Sequence, residues 1–314
     1  MLLTPSPEQR TFTTDRWEMW GCPAWEHRIM TVCIGAICEY GRSLILVADR
    51  KISTSATSGE QKSIKLNNFC QDWYVGFSAN DVPAACEVIE LSQRRIRELA
   101  ERAWYDVVPE VDRCYQGIRN QKAEALYLQS WGTTLNDFHA TGSDRIPKQV
   151  YASVYNKLIN HDLRVTLLIV GFDESAHIFT VKNPGTHEDH TALSFWAIGS
   201  GAPAAIASLF YRKFSFEMGV EEALYYVYEA KRQAEAASGV GQTTDVYLIT
   251  KDNIPLGIDD ATQAKILAGV WDKLKPRDFE KIHAQHIATI DEVKTTKRLM
   301  ELRIVNQPTQ RSGG

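Results

Sequence analysis

Thr31-Val32-Cys33-Ile34-Gly35-Ala36-Ile37-Cys38-Glu39-Tyr40-Gly41-Arg42-Ser43-Leu44-Ile45-Leu46-Val47-Ala48-Asp49-Arg50 is the stretch on which the fold turns. It holds two short apolar runs, Thr31–Cys38 and Leu44–Ala48, separated by a turn containing Gly41. Two such runs around a glycine-bearing turn predict an antiparallel hairpin. The second run ends on Asp49-Arg50, so charge begins where the apolar strand stops.

Downstream, a polar loop covers Ser53 to Glu60, followed by strands at Lys62-Ser63-Ile64-Lys65-Leu66 and Trp73–Phe77. Asp81 is placed to cap a long helix with Pro83 in its first turn, and Ala85, Ile89, Ile96, Leu99 and Ala103 recur near a 3.6 period. Residues 105–140 read as a less regular, partly helical insertion, with a further helix near 147–160. Strands return at Arg164–Phe172, His177–Val181 and Leu193–Ile198. Gly199-Ser200-Gly201 then opens a helix through Ala204–Phe214. The next helix carries Val220, Ala223, Leu224, Val227, Ala230 and Ala234 on one stripe and stops at Ser238-Gly239. A last strand is Asp245–Thr250, and residues 253–314 read as helices with a polar tail. Grouped strands with paired helices predict an α+β class: two packed sheets with helix layers outside, not a βαβ alternation. No GxxxxGK[ST] or GxGxxG follows a strand, which argues against a nucleotide-binding fold.

Composition narrows the function classes. The chain has 314 residues, 44% hydrophobic and 24% charged, as a globular protein does. Lys+Arg 35 against Asp+Glu 39 gives −4, a balance that asks for neither nucleic acid nor an anionic membrane. Cys22, Cys33, Cys38, Cys70, Cys86 and Cys114 form no CxxC pair and read as reduced core thiols. The longest apolar stretch, Val165–Phe172, falls far short of the ~20 residues of a membrane helix. Residues 1–29 hold Pro5, Pro7, Pro23, Trp17, Trp20 and Trp25 without an apolar core, so no signal peptide is expected and the expected location is cytoplasmic. His187-Glu188-Asp189-His190 lacks a third ligand at a fixed spacing and reads as a solvated loop, so no metal or cofactor is expected. His283 and His286 are a weaker pair still, and no Gly-x-Ser-x-Gly elbow occurs.

Four stretches, taken in order, resemble the proteasome β-subunit family, including the bacterial peptidase that works under a ring ATPase. They are Thr31–Gly35 with Ala48-Asp49-Arg50; Lys62–Leu66; Ile198-Gly199-Ser200-Gly201; and Glu235-Ala236-Ala237-Ser238-Gly239. The resemblance implies an N-terminal-nucleophile hydrolase with a four-layer αββα sandwich. The corresponding division is 1–30 as an N-terminal extension or propeptide, 31–252 as the hydrolase domain and 253–314 as a helical C-terminal extension.

The residues are chemically consistent with that likeness. A threonine hydroxyl needs a base, and as the first residue its own α-amine can serve, with an unperturbed pKa of about 7.7–8.0. The Met30-Thr31 junction supplies the possibility, either by a start at Met30 or by removal of residues 1–30. The resemblance gives Thr31 the nucleophile's place and Lys62 that of the lysine that lowers the amine pKa and steadies the oxyanion. Lys65, three residues on, is the competing choice. Asp49 takes the place of the carboxylate that orients the lysine. Ser200, Glu235 and Ser238 take those of the side chains that hold the terminal amine and a water, the glutamate being one methylene longer than the family's aspartate. The resemblance implies an oxyanion donor in the turn Gly76-Phe77-Ser78-Ala79-Asn80, which here has one glycine instead of a pair. Cys33, an alternative nucleophile after cleavage at Val32, reads as buried because it lies inside the strand alternation.

The resulting expectation is a threonine peptidase cleaving unfolded polypeptide. It is expected to self-associate into rings through the exposed faces of helices 81–104 and 219–237, the latter bearing Tyr225, Tyr226 and Tyr228, with a ring ATPase as partner. Two alternatives stand beside it: a catalytically silent structural ring subunit, and an amidase for a small molecule.

Overall fold

A computed structural model of the chain describes residues 31–53, 58–61, 65–70, 72–237, 239–251 and 255–274. The hairpin that decides the fold is β1 (Cys33–Cys38) and β2 (Ser43–Asp49), paired from Cys33↔Ala48 to Cys38↔Ser43. Its turn holds Glu39, Tyr40 and Gly41 all at positive φ. A second small hairpin follows, β3 (Lys51–Ser53) with β4 (Ser58–Glu60), where a polar loop is expected from the sequence. Then come β5 (Leu66–Cys70), β6 (Trp73–Ala79), and helices α1 (Val82–Arg97), α2 (Trp104–Tyr127), α3 (Leu135–Arg145) and α4 (Lys148–Ile159). Strands β7 (Val165–Phe172), β8 (Ala176–Lys182), β9 (Thr186–Asp189) and β10 (Phe195–Ile198) precede α5 (Ala202–Tyr211) and α6 (Val220–Ala234). Strands β11 (Thr244–Thr250) and β12 (Leu256–Gly257) and a helical run over 260–274 complete the described chain.

Two antiparallel five-stranded sheets result, in the orders β10-β1-β2-β11-β12 and β5-β6-β7-β8-β9. The class is therefore mixed α and β, with antiparallel sheets, as the grouped strands predict. Strands β1 and β2 are buried on both faces, which is why they read as nearly continuous apolar runs. Ile34, Ala36, Ile45 and Val47 enter a core shared with α5, α6 and the 260–274 run. Cys33, Ile37, Leu44 and Leu46 enter another, shared with Leu168, Val170 and Ile178 of the second sheet. The opposite face of that sheet, with Leu167, Ile169 and Phe179, packs on Val88 and Ile89 of α1 and Val107, Val111 and Tyr115 of α2. Alternate residues of one strand thus feed different cores.

Local signals explain most boundaries. Asp81 caps α1, its carboxylate accepting from Ala84 N–H at 3.0 Å. Residues 105–140, expected to be less regular and partly helical, hold most of the 24-residue α2, whose buried stripe is Val107, Val108, Val111, Tyr115 and Ile118. Pro109 is the sixth residue of that helix, past the first turn, so it removes one intrahelical bond, and it obscures the period in the sequence. The C-terminal half of α2 joins α3 and α4 around a small separate core of Ala123, Leu128, Phe138, Val154 and Leu158. One expectation is overturned on α6: Tyr225, Tyr226 and Tyr228 are buried in the first core and offer no aromatic surface to a neighbouring subunit. Among the described residues no helix is long and apolar enough to cross a membrane.

Candidate active site

The site forms where the end of β2, the residue before β5, the β10–α5 turn and the loop after α6 meet. Asp49, at the end of β2, is fully buried and collects donors from four segments. Its Oδ1 accepts from Val32 N–H at 2.8 Å, from the Thr31 hydroxyl, and from Lys65 Nζ at 2.9 Å. Its Oδ2 accepts from Gly241 N–H at 3.0 Å and Lys51 N–H at 3.1 Å. A buried carboxylate is tolerable when its lone pairs are filled this completely. Lys65 is itself buried, and its ammonium donates to the Thr31 hydroxyl oxygen as well as to Asp49. The Thr31 side chain, 3% exposed, is therefore held between a cation and an anion away from bulk water.

The main chain of Thr31 is fixed from the other side. Its N–H donates to Ser200 Oγ at 3.3 Å, and its carbonyl accepts from Gly201 N–H at 3.1 Å and from the Ser200 hydroxyl at 3.4 Å. That turn depends on glycine: Gly199 has φ +95°, and a Cβ there would lie 2.3 Å from the Thr31 carbonyl oxygen. Gly241 allows a second close approach, since its Cβ would stand 2.6 Å from the Lys51 Cβ and 3.1 Å from Asp49 Oδ2.

Of the residues singled out from sequence, Thr31, Asp49 and Ser200 come together. Lys65, the competing choice of lysine, stands at the Thr31 hydroxyl; Lys62 lies outside the described residues, as does Ser238. Lys65 directly precedes the described strand β5, Leu66–Cys70, and its side chain is carried into the interior beside Asp49. Glu235 stands at the C-terminal end of α6, where its carboxylate accepts from Lys231 Nζ and, at 3.0 Å, from Arg232 Nη1. No hydrogen bond joins it to Thr31 among the described residues.

Sequence reasoning missed two further contributors, Gly241 and Lys231. Lys231 has 0% exposure and donates to Gln242 O at 2.7 Å. Burial pushes its ammonium pKa down, opposed by the Glu235 carboxylate. A signal was present: position 231 lies four after Val227 and three before Ala234, squarely on the apolar stripe.

The neighbouring groups fall into supporting roles. Arg50 turns away from Thr31, donating to Asp245 at 2.8 Å and bidentately to Asp260. Cys33 is a neutral thiol, pushed up to about 12 by burial and donating to Phe77 O at 3.2 Å. His187, expected in a solvated loop, lies on β9 and bonds Asp112 of α2. No group of described residues has the make-up of a metal site. Chemically, the arrangement offers one hydroxyl oxygen aligned with a lysine and a carboxylate, on a residue whose nitrogen has its own hydroxyl partner. No protein-family model matches the chain, and no curated protein does.

Proposed function

We propose that the protein is a threonine-type N-terminal-nucleophile peptidase of proteasome β type, cleaving peptide bonds of unfolded polypeptide. The observation that carries this reading is the placement of the Thr31 hydroxyl on Lys65 and Asp49, with Thr31 N held by Ser200. The separate helix–sheet, sheet–sheet and sheet–helix cores support a four-layer αββα stacking.

Once the Met30–Thr31 bond is cut, the freed α-amine of Thr31 takes the hydroxyl proton as Oγ1 attacks the substrate carbonyl. Lys65 lowers the cost of the developing alkoxide, and Asp49 holds its ammonium in place through Oδ1. The amine then returns the proton to the leaving amine, and a water, deprotonated by the same amine, hydrolyses the ester. For the oxyanion, strand alternation selects an amide. Phe77 N–H donates to Lys65 O at 3.2 Å and Asn80 N–H to Arg164 O at 3.1 Å, so the intervening Ala79 N–H faces the Lys65 edge of β6. Self-association into rings and a ring ATPase partner belong to this reading through the resemblance.

The test is direct. In the full chain expressed in its own host, N-terminal sequencing is expected to find Thr31 first. Thr31→Ala is expected to remove hydrolysis of a fluorogenic peptide by on the order of 10⁴-fold while leaving the thermal midpoint nearly unchanged. Retention of residues 1–30 together with no turnover favours the silent ring subunit, because an internal Thr31 has no free amine. A particle of monomer mass that hydrolyses small amides but not peptides favours the amidase.

A further inference from the structure

The fully buried Lys231 has no place in the chemistry just described, and burying a lone lysine is costly unless its charge is used. An apolar residue of similar volume would fill the same point on the α6 stripe without that cost. What Lys231 does hold is the loop after α6. Its ammonium donates to Gln242 O at 2.7 Å and to the Glu235 carboxylate. The residue immediately before Gln242 is Gly241, whose N–H reaches Asp49 Oδ2 at 3.0 Å. The same loop is braced from the far side by Thr243 N–H on Glu60 Oε1 at 3.4 Å.

We propose that Lys231 is a positioning residue for the nucleophilic centre, aiming the Gly241 amide at Asp49 through its bond to Gln242. This rests on the peptidase reading above. The chain of contacts runs from Lys231 to Gln242 and Gly241, to Asp49, to Lys65 and the Thr31 hydroxyl. Glu235 and Arg232 on α6, Asp49 on β2 and Glu60 on β4 are the charged groups around it. Glu235 neutralises Lys231 where the interior could not hold a bare cation, which assigns this glutamate a task at one remove from the nucleophile. A loosened Gly241 amide lets the Asp49 carboxylate rotate, and Lys65 shifts with it. That defect lowers the chemical step without weakening substrate binding.

The experiment compares Lys231→Met, which fills the volume without a donor, with Lys231→Gln, which keeps an N–H donor but no charge. Both are made in the full chain, with kcat expressed per site titrated by a peptide boronate. Lys231→Met is expected to lower kcat by roughly 10²-fold with KM within about twofold of the parent, as a misaligned centre would. Lys231→Gln is expected to recover about a third to two thirds of that loss on a logarithmic scale, because the donor to Gln242 returns on a shorter, uncharged side chain. A Met variant with kcat unchanged, or a Gln variant no better than Met, overturns the proposal while leaving the peptidase reading intact. Should Lys231→Met fail to fold, Lys231→Gln with kcat equal to the parent overturns it alone. A parent chain that is neither titrated nor active overturns both.

Discussion

The halves of the molecule built on the two sheets spend burial differently. Around the second sheet, the core between β6–β8 and helices α1 and α2 is apolar, with Trp73, Phe77, Tyr115 and Phe179 fully enclosed. Its internal polar contacts are modest, such as the Tyr115 hydroxyl on Val165 O at 2.8 Å. Around the first sheet, Asp49, Arg50, Glu229, Lys231 and Asp245 are all buried, and Lys65 reaches in from the edge of the second. Each is paired: Arg50 with Asp245, Lys65 with Asp49, Lys231 with Glu235, Arg212 with Glu229. Paired buried charge contributes little net stability compared with a hydrophobic replacement. The concentration of Asp49, Arg50, Lys65, Lys231 and Asp245 around the end of β2 and the start of β11 therefore argues for use, whereas the apolar half supplies the stability that tolerates it.

The comparison is open to breakage from the charged side first. Lys65→Met is expected to reduce peptide hydrolysis by about 10²–10³-fold, as removal of an electrostatic stabiliser does. It also leaves Asp49 buried without its cation, at a cost of about 3–5 kcal/mol in unfolding free energy. Lys62→Met, made alongside, is expected to do neither. Denaturant melts with parallel rate measurements decide between the two lysines, and an essential Lys62 with a dispensable Lys65 would reverse the assignment.

On the apolar side, Phe179→Ala is expected to cost about 3–5 kcal/mol by emptying a fully enclosed ring volume. The kcat per titrated site should stay unchanged. A matching fall in kcat would mean that the halves are not separable, and the contrast would fail. The smallest effect sharpens it further. Gly199→Ala combines a positive φ with a Cβ pressed on the Thr31 carbonyl, and is expected to cost about 1–3 kcal/mol together with a loss of rate. Gly132→Ala, also at positive φ but with nothing within 4 Å of the added carbon, is expected to cost less and leave the rate alone. Differential scanning calorimetry and initial rates on both variants separate backbone strain from strain delivered to the site.

Much of this was legible from the sequence because local rules and tertiary demands agreed. The β1–β2 hairpin, the Asp81 cap, the paired helices and the turn carrying Ser200 each follow from period, turn residue or cap. Where the signals conflicted, reading failed. α2 hides behind an internal Pro109 and Gly117, and the β3–β4 pair offers Ile52 as its one apolar side chain, too little alternation to betray a strand. Within the site, the lysine's position depends on where β5 begins, which the Lys-x-x-Lys spacing does not state. Lys231 is hidden differently: a lysine on an apolar stripe reads as a snorkelling side chain until its partners, far along the chain, are seen.

The separations along the chain set the order in which the site can come into being. Thr31 meets Ser200 across 169 residues, Asp49 meets Gly241 across 192, and Arg50 meets Asp260 across 210. During synthesis the hairpin with its threonine and aspartate leaves the ribosome early, and the loop that orients the aspartate leaves late. A chain stalled before Gly241 carries the hydroxyl, the aspartate and Lys65 without the amide that steadies them. The Thr31 hydroxyl thus lacks part of its supporting shell through most of translation, a timing that follows from topology alone.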